Sequence, residues 1–122
     1  VRGFGELESA IMDQVWAAPG PVLVREVREA LDANKPTAYT TVQTVMEILH
    51  RKGWLTRERD GRAFRYRAVG TREDYAASLI DQVFESGADR AATLVKFFEQ
   101  MDPDEAAELR AALDAAKGAG TP

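Results

Sequence analysis

A chain of 122 residues can hold one hydrophobic core and a small appendage, but hardly two full domains. Its 45% hydrophobic and 30% charged residues are those of a globular protein; no run approaches the ~20 apolar residues of a membrane span, and no basic-then-apolar secretion signal opens the chain, so a cytoplasmic protein without membrane insertion is expected. The chain has no cysteine, which excludes disulfides, thiolate chemistry and cysteine-based zinc sites.

The net charge of −4 is unevenly spread: residues 1–34 carry −3, residues 35–72 carry +6 and residues 73–122 carry −7. A basic block between two acidic ones predicts a local surface for an anionic partner.

The first helix is expected over Glu6–Ala18, where Leu7, Ile11, Val15 and Ala18 recur at helical spacing and Met12 and Trp16 widen the stripe. Pro19-Gly20-Pro21 ends it, and Val22-Leu23 reads as a stub of strand. A second helix is expected from Val24 to Ala33, with Val24, Val27, Ala30 and Leu31 inward, Arg25, Glu26, Arg28 and Glu29 outward, and Asn34-Lys35-Pro36 closing it.

The third helix is expected to start at Thr37, an N-cap after Pro36, and to stop at Gly53. Ala38, Val42, Val45, Met46 and Leu49 form its core face. Thr37, Thr40, Gln43, Thr44, Glu47 and Arg51 collect opposite, a short and mostly uncharged hydrogen-bonding face where a solvated helix carries Lys and Glu. A hairpin follows: Leu55, Arg57 and Arg59 alternate with Trp54, Thr56 and Glu58, Asp60-Gly61 signals a tight turn, Arg62 stands at the tip, and Phe64, Tyr66 and Ala68 alternate with Arg65 and Arg67.

Three helices with a basic hairpin on the third make a winged helix-turn-helix, expected over residues 1–70, whose third helix enters the major groove of double-stranded DNA. Thr37, Thr40, Thr41, Gln43 and Thr44 are the candidate base readers. Tyr39, Arg51, Lys52, Arg57, Arg59, Arg62 and Arg65 are the candidate phosphate contacts. Glu47 sits awkwardly on that face, as an acceptor for a cytosine amino group or as a guide for Arg51. The plainer readings are a solvated Thr/Gln face and a charged hairpin edge that resists aggregation. His50, a lone histidine flanked by Arg51, reads as a surface or phosphate-facing residue and not as a metal ligand, and Trp16 and Trp54 read as core.

Residues 71–122 read as a small α-helical dimerisation region, so the fold class is mainly α. Thr71 caps a helix, Gly87 ends it, a further helix follows, and Asp102-Pro103 starts the last, which stops at Gly118. Tyr75, Leu79, Val83, Leu94, Val95, Phe98, Leu109 and Leu113 form an apolar stripe that a second copy would cover, and a dimer matches a palindromic site.

These residues resemble the penicillinase repressor family of bacterial transcriptional regulators. The resemblance runs through Glu8, Met12 and Trp16, Val24-Arg25-Glu26-Val27 and Leu31, and is densest from Tyr39-Thr40-Thr41-Val42-Gln43-Thr44 through Leu49 to Lys52-Gly53, with Gly61-Arg62 and Tyr66 after it. It implies a homodimer on a palindromic operator with TACA/TGTA-type half-sites. It further implies repression of β-lactam-response genes, released through a membrane sensor-protease or a downstream protease. Relatives are cut at an Asn-Phe bond; Lys96-Phe97 stands there in this chain, without the asparagine. Leu23 stands where many relatives have a Ser or Thr cap. A copper-responsive branch uses C-terminal cysteines, which this chain lacks.

Nothing suggests an enzyme or a cofactor: there is no nucleophile–His–acid set, no phosphate-cradling loop and no metal cluster. The rival readings are a winged helix used for protein–protein contact and a repressor that answers a small molecule.

Overall fold

The chain's three N-terminal helices are placed by their apolar stripes. In a computed structural model, which describes residues 2–31 and 36–119, α1 (Glu6–Ala17) buries Ile11, Met12 and Val15. Glu8 closes its start: the Gly5 amide donates to the Glu8 carboxylate at 3.1 Å. Glycine has no side chain to return the bond, so only half of a capping box forms. After the Pro-Gly-Pro break come β1 (Val22–Leu23) and α2 (Val24–Leu31), which buries Val24 and Val27. Leu23 offers no capping oxygen, and Glu26 compensates by accepting the Leu23 amide at 2.7 Å. Two expectations on α2 are corrected. Ala30 is exposed, on an open cleft, whereas Arg28 is half-buried because its Nε donates to the Thr37 carbonyl at 3.0 Å. The expected end at Ala33 and the Asn34-Lys35 close lie outside the described residues.

α3 (Tyr39–Arg51) starts two residues later than Thr37. Ala38 is the N-cap, extended at φ −64° and ψ 144°, and its carbonyl accepts the Thr41 and Val42 amides. Because Ala38 is not helical, the rotation that put it on the core face does not reach it, and it is exposed. Val42, Met46 and Leu49 are buried. The helix ends as expected: Gly53 takes φ +90°, its amide bonds the His50 carbonyl and the Trp54 amide bonds the Leu49 carbonyl, the two bonds of a Schellman motif.

β2 (Leu55–Asp60) and β3 (Ala63–Ala68) form the hairpin, and β1 pairs with β3, giving an antiparallel sheet in the order β1-β3-β2. Asp60 faces Ala63, so the two central turn residues are Gly61 and Arg62, with Gly61 at φ +65°. Glycine at the first central position gives the turn whose twist suits the paired strands. Leu55 and Tyr66 project from the sheet into the core, joining the buried residues of α1, α2 and α3. This is a winged helix-turn-helix.

The chain divides into two compact units, one ending at Gln82 and one beginning at Val83. The first therefore includes most of α4 (Arg72–Phe84), which a reciprocal Thr71–Asp74 capping pair starts. The N-terminal arm fastens it. Phe4 stacks on Tyr75 at 4.0 Å and 3°, with Trp16 and Trp54 around the pair, and the Phe4 amide donates to the Tyr75 hydroxyl at 2.6 Å. A Cβ on Gly3 would come within 2.8 Å of that hydroxyl, so the arm needs glycine there. Trp16 Nε1 donates to the Gly70 carbonyl, and Arg72 pairs with Asp13 at 2.6 Å. The expectation that Tyr75 and Leu79 lie on a dimer stripe is revised: both face the arm of their own chain.

In the second unit Asp89 caps α5 (Arg90–Glu99) and Asp102 caps α6 (Pro103–Ala119), which runs one residue past Gly118. Among the described residues no side chain of this unit is buried, and no helix is long and apolar enough to cross a membrane.

Candidate nucleic-acid interface

One face of α3 is left open by the packing of the other. Tyr39, Gln43 and Glu47 lie one turn apart and line a groove of about 480 Å³. Across it stand Arg62, Ala63, Phe64 and Arg65 of the hairpin and Arg25 of α2. Thr40 and Thr44 are exposed on the adjoining strip of the helix, and Arg51 is exposed in its last turn. The structure thus brings Tyr39, Thr40, Gln43, Thr44 and Arg51 onto one side of α3, and sets the wing tip beside them.

Thr37 and Thr41 are not part of that face. Thr41 lies about 160° round the helix from Gln43, and both threonines line a separate cleft with Leu7, Ala10 and Leu31. For Thr37 the origin is that at Ala38, a helix that begins later than its cap signal suggests; for Thr41 the 100° rotation per residue itself sets it away from Gln43.

The basic residues divide into tied and untied groups. Lys52 Nζ pairs with Glu8 at 3.2 Å, and this bond, with the Gly5 amide as the larger cause, holds the Glu8 carboxyl below its ordinary range. Arg57 is half-buried: its guanidinium lies 4.1 Å over the Phe64 ring and donates to the Tyr66 hydroxyl at 3.3 Å. Arg59 lies over the same ring at 5.2 Å. Arg65 pairs with Asp60 at 2.6 Å and with Glu26 at 3.7 Å. Arg51, Arg62 and Arg67 make no ion pair among the described residues. Sequence reasoning placed Arg25 in open solvent and left Arg67 off the contact set. The groove lining shows the position of Arg25, and nothing local marks it, because the neighbouring Arg28 has the same type and a different fate.

Glu47 is half-buried in the groove, which puts a negative charge where an approaching phosphate is repelled and a base amino group is attracted. His50 is half-buried, and no cluster of acidic or histidine side chains among the described residues is placed to hold a metal ion. Trp16 and Trp54 belong to the aromatic cluster around Tyr75, away from this groove's lining.

On the second unit, Val83, Leu94, Val95, Phe97 and Leu113 are exposed. Phe98 is half-buried beneath the Arg110 guanidinium, and Leu109 is also half-buried. Lys96 and Phe97 lie within α5, in helical backbone.

The model of the penicillinase repressor family matches residues 4–115. The transcriptional regulator BlaI of Mycobacterium tuberculosis, in the CDC 1551/Oshkosh and H37Rv strains, is 44% identical over 113 residues, 89% of this chain and 81% of that protein. Two solved structures are similar in shape at a TM-score of 0.48. Streptococcus pneumoniae FabT in complex with DNA is 21% identical and is aligned over 94% of this chain and 74% of its own. The transcriptional regulator Tm0710 of Thermotoga maritima is 22% identical, over 94% and 75%.

Proposed function

The chain belongs to the penicillinase repressor family, and we propose that it is a homodimeric repressor that reads a palindromic operator with α3 and grips the backbone with the wing. It is a transcriptional regulator of the BlaI type and not an enzyme. The observation that carries the DNA reading is the groove in which Tyr39, Gln43 and Glu47 face Arg62. A helix with short hydrogen-bonding side chains can meet base edges, and an unpaired arginine at a turn can meet a phosphate.

The dimer is supported by the second unit, whose helices expose Leu94, Val95, Phe97 and Leu113 and, among the described residues, bury no side chain as a single chain. Val83, also exposed in this unit, adds to its apolar surface. Two copies present two recognition helices to two half-sites. The family's name motivates β-lactam-response genes as targets, and the resemblance of the α3 motif implies TACA/TGTA-type half-sites as the operator. Release by proteolysis at Lys96-Phe97 requires α5 to unwind first, because that bond is helical. A sensor-protease is the partner such release would need.

The test is selection of bound sequences from a random pool of duplex DNA. The reading expects enrichment of two inverted half-sites at a fixed spacing. A pool that stays random, or enriches a single unrepeated site, would reject the palindromic dimer.

A further inference from the structure

Three arginines of the wing, Arg57, Arg59 and Arg65, have partners within the fold. Arg65 Nε donates to Asp60 Oδ2 at 2.6 Å, while Nη1 stands 3.7 Å from Glu26 Oε1. That same Glu26 oxygen accepts the Leu23 amide at the start of α2, and Leu23 faces Arg65 across the β1–β3 ladder. Asp60 is the last residue before the Gly61-Arg62 turn. One guanidinium therefore links the N-terminus of α2, the middle of β3 and the base of the turn that carries Arg62. Building on the reading that the first unit binds duplex DNA, we infer that Arg65 is a positioning residue: it braces the wing against α2 and does not itself meet a phosphate.

Charge and geometry agree on this. Asp60 takes the Arg65 Nε–H and Glu26 flanks Nη1, so two carboxylates offset the charge of Arg65 and fix its guanidinium toward its own fold. Arg62 has no such partner among the described residues. Asp60 and Glu26 are also negative charges beside a surface that would meet a polyanion. If charge alone mattered, removing either would tighten DNA binding. If the brace matters, removing Asp60 frees the turn and weakens it. The two accounts predict opposite signs for one substitution.

The experiment titrates the 122-residue chain, its Asp60→Asn and Arg65→Gln variants, and both changes together, against a labelled duplex at several salt concentrations. Arg65→Gln is also made in an Arg62→Ala background. The brace predicts that Asp60→Asn weakens binding, by about fivefold at most because the pair is exposed. The double variant is no weaker than Arg65→Gln alone. In the Arg62→Ala background, Arg65→Gln removes no further salt dependence, because it acts through Arg62. The inference is overturned if Asp60→Asn tightens binding, or if Arg65→Gln takes a further ~0.9 from the salt slope in that background, the loss of one phosphate contact. A wild-type chain that shows no salt-dependent duplex binding would sink the DNA reading itself, which these variants then could not rescue.

Discussion

Tyr75→Ala should cost the first unit more than its place on a largely exposed helix suggests. Its ring is stacked on Phe4 at 4.0 Å and meets Trp54 edge-on at 5.3 Å, and its hydroxyl accepts the Phe4 amide at 2.6 Å. Each aromatic pair adds about 0.5–1.5 kcal/mol beyond the area it buries, and the hydrogen bond adds about 1 kcal/mol. Losing both pairs and the bond should therefore cost about 2–4 kcal/mol, while Tyr75→Phe, which keeps the ring, should cost about 1 kcal/mol. Urea unfolding followed by tryptophan emission reads this unit specifically, because Trp16 and Trp54 both border the Tyr75 ring. If Tyr75→Ala moved the unfolding free energy by less than about 0.5 kcal/mol, the arm would not be what fastens α4.

Glu8 gives a pH test. Its folded carboxyl is held below its ordinary range by the Gly5 amide first and Lys52 second, so the stability it contributes is present above the unfolded pKa and lost as pH falls through the folded one. Melting temperatures of wild type and Glu8→Gln should therefore differ near neutrality and converge in acid; a constant gap at every pH would contradict the assignment. A chain ended at Gln82 keeps the whole first unit and should be a folded monomer with much weaker operator binding, as sedimentation and duplex titration would show. A truncated chain that still dimerised and bound as tightly would remove the second unit from the interface.

What could be read from sequence was what depends on neighbours within one element. The spacing of Val42, Met46 and Leu49 placed the core side of α3, Gly53 marked its end, and Asp60-Gly61 marked the hairpin. The start of α3 was misplaced because Thr37 is a good cap in isolation, while in the fold its carbonyl accepts Arg28 and the chain stays extended through Ala38. Thr37 on the wrong side follows from that shift, whereas Thr41 is placed there by the helical rotation alone. The fate of each cation was not legible, since the partners come from other elements: Glu8 of α1 for Lys52, Glu26 of α2 for Arg65, and the Phe64 ring for Arg57. An apolar stripe on α4 looks the same whether a second copy or its own N-terminal arm covers it. Phe4, flanked by Gly3 and Gly5, has no periodic neighbours to announce that it covers Tyr75.

The salt dependence of Arg62→Ala and Thr40→Ala, each measured on operator and on random duplex, puts the division between reading helix and gripping wing under test. Arg62 stands untied at the turn, and Thr40 is exposed on α3 beside the groove. Arg62→Ala should lower the slope of log affinity against log salt by about 0.9 per contact and weaken both duplexes alike. Thr40→Ala should leave the slope unchanged and cut the preference for operator over random DNA by about 1 kcal/mol, roughly fivefold. The reverse pattern, with Arg62→Ala altering sequence preference and Thr40→Ala altering only the salt slope, would contradict the account.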